Sequence, residues 1–295
     1  MKTSLACIPC IITQCLTTLN LTRVDEEKKK SAVNKLLEKL KTIDYDLPPS
    51  YNSDIAYAVA YEFTGVKDPY LKLKKECNKL ALEIYPKLKE MVEHSKDRMY
   101  TAIKVAIEGN IIDFGININK GKPLDFQKIL RDIKEMPFAI DDYKEFEKSL
   151  DSSTNIFYVG DNAGEIVFDR VLIEELIRCG KKVVLSVKSG PVINDATLED
   201  VREAGLTDIV KVIETGNSSI GVNFRSISQK FVDEFKKADL IIAKGQGNFE
   251  TLDNIEANTF FMLKAKCETI ANKLGVEYLD VVLVKRRHEW GSKKI

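Results

Sequence analysis

Two aspartates, an asparagine and a lysine in this chain each stand in a glycine-containing loop just after a short apolar run. Ile156–Val159 leads into Gly160-Asp161-Asn162-Ala163-Gly164, and Val183–Lys188 leads into a loop running through Asn194 and Asp195 to Thr197. Leu240–Ala243 leads into Lys244-Gly245-Gln246-Gly247-Asn248. Short apolar runs bounded by turn residues read as buried strands. In open α/β sheets, ligands sit at the C-terminal tips of such strands. If the strands are parallel, Asp161, Asn162, Asp195 and Lys244 collect along one edge. Two carboxylates and an amide oxygen suit a hard divalent cation such as Mg²⁺ or Mn²⁺. A lysine beside Gly-x-Gly suits a phosphate, through its charge and the free backbone N–H groups. Asp, Asn and Gly are also ordinary turn formers at strand ends, so each loop alone reads as a plain turn. Three of them on one edge favour a site.

The elements that would position these loops follow from periodicity. Ile166, Val167, Val171, Leu172, Leu176 and Ile177 recur at helical spacing before Gly180, so the first loop opens a helix. Beyond the polar joint Asp151-Ser152-Ser153-Thr154, strands and helices alternate, with further strands expected at Ile209–Ile213 and Tyr278–Val284. That alternation predicts a doubly wound, mostly parallel α/β sheet. Before the joint the chain reads as helices: Asp25–Ile43, Ile55–Phe63, Asp68 to about His94, Arg98–Glu108, Phe126–Ile133 and Tyr143–Leu150. Pro48-Pro49 reads as a break, and Asp68-Pro69 as a cap followed by proline at the first helical position. The division is an all-helical region over 1–150 and an α/β metal- and phosphate-binding region over 151–295.

Other chemistries lack their residues. The Gly160 turn is not Gly-x-Gly-x-x-Gly, and no Gly-x-x-x-x-Gly-Lys-Ser/Thr occurs. Asp44-Tyr45-Asp46 has no preceding hydrophobic strand, and no cysteine has an arginine six residues on. His94 and His288 are the chain's two histidines, and both read as surface residues. What remains is chemistry at a metal, with Lys244 and the N–H groups near Gly245 and Gly247 stabilising a phosphoryl group.

The strings DNAGEIVFD (161–169), PVINDAT (191–197) and KGQGNFETL (244–252) resemble the signature blocks of the damage-control phosphatases, the family also called domain of unknown function 89. Cys7-Ile8-Pro9-Cys10 and Gly109–Gly115 are similar to its archaeal and prokaryotic branch. The resemblance implies a divalent ion (Mg²⁺, Mn²⁺, Co²⁺ or Ni²⁺) on Asp161, Asn162 and Asp195. It implies a phosphoryl group on Lys244, with Asn110 and Asp113 reaching the pocket from the helical half. Read from the residues alone, Asn110 and Asp113 form a helix cap and turn. Asn248 and the Gly216–Gly221 loop would extend the phosphate pocket, or in the case of Gly216 form a surface loop. The substrate would be a small phosphorylated metabolite, a sugar phosphate or a damaged or phosphopantetheine-type compound. Alternatives are the S-adenosylmethionine-dependent carboxyl methyltransferase proposed for eukaryotic relatives, and a non-enzymatic metal-binding protein.

Cys7 and Cys10 share a face of a helix, and Cys-x-x-Cys supplies two ligands where a closed zinc site needs four. The resemblance suggests Cys267 as a third sulfur, in a secondary site for metal or redox sensing; buried packing is the plainer reading. Cys77 and Cys179 read as core fillers. Six scattered cysteines make no disulfide scaffold and favour a reducing compartment. Basic and acidic residues balance at 45 each, which predicts no nucleic-acid partner. No apolar run approaches the roughly 20 residues of a membrane helix, and no leader is evident at the start, so a cytoplasmic location is expected. The basic tail from Lys285 is expected to fray.

Overall fold

The computed structural model describes residues 1–109 and 125–295; Asn110 and Asp113 therefore lie outside the described residues. The sheet is built from strands too apolar to face water on either side, as parallel strands covered by helices must be. In β2 (Asn155–Val159), Ile156 and Tyr158 face one core and Phe157 and Val159 the other. Among the described residues seven strands run in the order β1-β7-β6-β5-β2-β3-β4. They are β1 (Ile140–Asp141), β2, β3 (Lys182–Val187), β4 (Lys211–Glu214), β5 (Leu240–Lys244), β6 (Thr259–Lys264) and β7 (Val281–Lys285). All neighbours are parallel except β6 and β7. After β2 the chain winds out through β3 and β4, then returns to β5 on the other side of β2. The loops leaving β2 and β5 part there, which makes the crevice where such sheets bind ligands.

One face is covered by α4 (Leu71–Glu93), α5 (Arg98–Glu108), α7 (Tyr143–Asp151), α8 (Glu165–Arg178) and α9 (Leu198–Glu203), which share a core with Ile156, Tyr158 and Leu185. On the other face, α10 (Gln229–Lys237), α11 (Gln246–Leu252) and α12 (Glu268–Leu274) pack on Phe157, Ile241 and Phe261. A separate cluster joins α1 (Cys7–Leu21), α2 (Glu26–Leu40) and α3 (Pro49–Thr64) through Ile11, Leu19, Leu36 and Val59. The α/β class with an N-terminal helical region is as expected. So are the starts of α2 and α5, where Asp25 and Asp97 accept from the N–H groups of Lys28 and Tyr100, each at 2.9 Å.

Several local expectations give way. α2 ends at Leu40, ahead of Pro48-Pro49, but α3 starts at Pro49 rather than near Ile55, because a first-turn proline has no intrahelical N–H bond to lose. Asp68 caps a turn at the Tyr70 N–H, and α4 begins only at Leu71. Ile209 and Val210 precede β4, and β7 starts at Val281 after Leu279 at φ 73°. Strands β1 and β6 were not expected. Thr259-Phe260-Phe261-Met262-Leu263 is apolar without a period, and two-residue β1 has no pattern to read. Cys179 is exposed at the end of α8. The tail is anchored instead of frayed: Lys293 bridges to Ile255, and Trp290 packs edge-on to Phe249 at 5.2 Å. Both histidines are exposed, as expected. Among the described residues no helix is long and apolar enough to cross a membrane.

Candidate functional site

The first two loops are zipped together by backbone bonds. The Ala163 N–H donates to the Asn194 carbonyl and the Ala196 N–H to the Asp161 carbonyl, both at 2.8 Å. Asn162 and Asp195 thereby pair as an isolated antiparallel bridge. Gly164, at φ 76°, reverses the chain into α8, a conformation that a side chain would strain. Asp161, Asn162 and Asp195 then line one cleft of about 370 Å³ at the crevice between β2 and β5. Larger grooves lie between α4 and α6 (Phe126–Glu135), at the N-terminal ends of β2–β4, and between α1 and α2. The second is on the wrong edge of the sheet for strand-tip chemistry.

Asp161 is the electrostatic centre of the cleft. Burial, then the neighbouring Glu165 and Asp195 carboxylates, push its pKa well above the usual carboxylate range, with Lys266 and Lys188 opposing. Asn162 spends its amide N–H groups on Asp161 Oδ2 (3.0 Å) and Glu165 Oε2 (3.1 Å), which leaves its carbonyl oxygen for the cleft. Two crowded carboxylates and an amide oxygen match a hard cation, whose charge would relieve the crowding. Among the described residues no group of three or more His, Cys, Asp or Glu side chains stands at metal-ligand spacing, so a cation held here would draw on the asparagine oxygen as well.

Lys244 lies elsewhere than sequence reasoning placed it. Its ammonium is fully buried beneath the cleft, 2.6 Å from Glu165 Oε1, 2.6 Å from Asp169 Oδ1 and 2.8 Å from the Ala106 carbonyl. All three N–H bonds are taken inside the protein. Burial disfavours its charge, but Asp169 and Glu165 outweigh that and hold its pKa above the ordinary lysine range. Lys244 thus fixes Glu165, and Glu165 in turn fixes the Asn162 amide. Asn248 is also fully buried and donates to the carbonyls of Gly160 (3.0 Å) and Lys244 (2.7 Å), stitching the β5 loop to the β2 loop. Gly245 packs against Asp161 and Gly247 lines the cleft, whereas Gly216 packs on Ser228. From the Gly216–Gly221 loop it is Ile220 that reaches the cleft.

Cations in the cleft come from a segment without a recognised motif. Lys264, the last residue of β6, and Lys266 line it beside Asp161. Lys188, itself buried, stands with its ammonium 3.5 Å from Asp195 Oδ2. Tyr57 of α3 closes the opposite wall, and burial first of all keeps its phenol un-ionised. Lys264 and Lys266 became visible only with β6, whose parallel pairing to β5 brings its end to the crevice. The one signal in the sequence was a lysine pair following an apolar run.

Cys7, Cys10 and Cys267 all line an adjoining cavity of about 270 Å³ with Gln246 and Glu250, but among the described residues no three such side chains stand at metal-ligand spacing. Gln246 Nε2 donates to Cys267 Sγ at 3.5 Å. Cys10 is exposed and Cys7 and Cys267 half-buried, so none is packed in the core as expected; desolvation by the cavity walls still raises the thiol pKa of Cys10 and Cys267, which favours neutral thiols over reactive thiolates.

Residues 3–282 match the damage-control phosphatase ARMT1-like domain. The chain belongs to that family. A damage-control phosphatase of Pyrococcus horikoshii is 35% identical, with 97% of this chain and 99% of that protein covered. One from Archaeoglobus fulgidus is 33% identical over 96% and 98%. A crystal structure of the Pyrococcus horikoshii domain-of-unknown-function-89 protein superimposes with TM-score 0.88, covering 97% of this chain and all of that one, at 33% identity. More distantly, a mouse 4'-phosphopantetheine phosphatase is 26% identical over 45% of this chain and 18% of its own length.

Proposed function

We propose that this chain, a phosphatase by family, hydrolyses phosphate monoesters of small metabolites with a divalent cation held by Asp161, Asn162 and Asp195. The observation that carries the reading is the half-buried Asp161 carboxylate, open to the strand-tip crevice, crowded by Glu165 and Asp195 and faced by lysines. When bound there, the cation would supply Lewis acidity to a phosphoryl oxygen and a more acidic water. Lys264 and Lys266 attract and orient the phosphoryl dianion. The Tyr57 hydroxyl, un-ionised, donates a hydrogen bond toward the bound ester. The leaving group extends into the adjoining cavity beside Cys10 and Gln246, a space suited to a sugar or a pantetheine-type tail.

The test is phosphate release from a panel of phosphometabolites. Metal-stripped protein is compared with protein given Mg²⁺, Mn²⁺, Co²⁺ or Ni²⁺, and with Asp161→Ala. Metal-dependent release that falls about a hundredfold or more in the variant is expected, by analogy with other charge-stabilising groups. Folded protein that releases no phosphate with any of the four metals would overturn the reading.

A further inference from the structure

We infer that Asn78, on α4, is a positioning residue that sets the spacing between the two loops bearing Asp161, Asn162 and Asp195. The inference rests on the proposed metal-dependent reaction only for one of its two readouts.

Asn78 is 1% exposed, and its carboxamide is spent on both loops. Its Oδ1 accepts the Gly164 N–H at 2.7 Å, two residues beyond Asn162. Its Nδ2 donates to Asp200 Oδ1 at 3.0 Å and to Glu203 Oε2 at 2.7 Å. Asp200 carries the contact to the other loop. Its Oδ2 accepts the Thr197 N–H at 2.8 Å and the Thr197 hydroxyl at 2.7 Å, two residues beyond Asp195. Lys74, also of α4 and 1% exposed, neutralises the same Oδ2 at 2.8 Å.

Gly164 explains why a side chain does this work. It is the N-cap of α8, where its N–H has no helical carbonyl to accept it, and a buried N–H left unpaired is costly. The Asn78 oxygen meets that need from a neighbouring helix. Because the same amide group grips Asp200, the Gly164 turn and the Thr197 cap cannot drift apart without breaking a buried hydrogen bond. The loops' own cross-bonds at Ala163 and Ala196 fix their register. The α4 clamp fixes their separation from the rigid side, as outer-shell groups do for metal ligands.

The experiment compares wild type, Asn78→Ala, and the paired exchange Asn78→Asp with Asp200→Asn and Glu203→Gln. The exchange keeps an acceptor for Gly164 and lets positions 200 and 203 both donate to position 78, so the clamp persists with those two bonds reversed. Mn²⁺ alone is the probe, titrated by electron paramagnetic resonance on proteins with matching circular dichroism. Amide exchange at Ala163 and Ala196, which Asn78 does not touch, is read on the metal-free proteins. Expected for Asn78→Ala is Mn²⁺ binding weaker by about 10- to 100-fold, with faster exchange at both amides. The paired exchange is expected to recover most of each loss. Wild-type-like binding and exchange in Asn78→Ala overturn the clamp, as does a paired exchange that recovers neither. A wild type that binds no Mn²⁺ sinks the metal reading instead, and amide exchange then decides the clamp by itself.

Discussion

Asp161 and Gly245 touch across the crevice between β2 and β5: a Cβ on Gly245 would lie 1.9 Å from Asp161 Oδ2. Gly245 also sits at φ 77°, where any other L-residue is strained. Gly245→Ala therefore has two costs, about 1–3 kcal/mol for the backbone, whose ψ of 166° puts it in a region open essentially to glycine alone, and about 1–3 kcal/mol for overpacking. Both act at the Asp161 carboxylate. The variant should unfold at lower urea and lose roughly a hundredfold in phosphate release, comparable to deleting a charge-stabilising group. Full turnover in Gly245→Ala would mean that the carboxylate is free to move.

Lys244 separates a structural from a substrate-binding role. Replacing it with methionine leaves Glu165 and Asp169 as uncompensated buried carboxylates, a loss of about 3–5 kcal/mol for a broken buried pair. Urea unfolding of Lys244→Met should show that loss together with lower activity. A variant of unchanged stability that merely fails to bind inorganic phosphate would restore the lysine to the phosphoryl group.

Glu108, at the end of α5, provides a pH signature. Burial raises its pKa to about 7, with Lys264 partly opposing. Its folded pKa lies above its unfolded value near 4.5, so between the two the folded state holds more protons. Stability contributed by the protonated form is present below pH 4.5 and is lost as pH rises toward 7. Glu108→Gln removes that dependence. Relative to wild type it should gain up to roughly 3 kcal/mol at pH 8, from about 1.4 kcal/mol per pKa unit, and nothing at pH 4. Parallel thermal melts across this range that differ by a constant would refute it.

Lys264 makes a kinetic prediction. Lys264→Ala should raise KM for a phosphate ester and weaken competitive inhibition by inorganic phosphate, with kcat/KM down by about 10- to 100-fold. Mn²⁺ affinity should hold or improve, since a neighbouring positive charge has been removed. Loss of metal affinity with unchanged phosphate inhibition would place Lys264 outside the phosphoryl site.

Much of this protein is determined by local pattern. The strand–turn–helix units around Gly160 and Lys244, the caps at Asp25 and Asp97 and the α/β class follow from alternation, glycine placement and short-range hydrogen bonds, each encoded within a few residues. The meeting of Asp161, Asn162 and Asp195 was also legible, because parallel strands place the loops that follow them on one edge. Tertiary structure decided what those residues face. Lys244 reads as an anion ligand beside Gly-x-Gly. A strand's last side chain points to one face or the other, and here that face holds Glu165 and Asp169, which lie a helix turn apart and far from it in sequence. Lys264 and Lys266 gained their place from the register of β6 on β5, and Asn78 from the packing of α4 against α8. Such roles depend on long-range pairing, which leaves no period in the sequence to read.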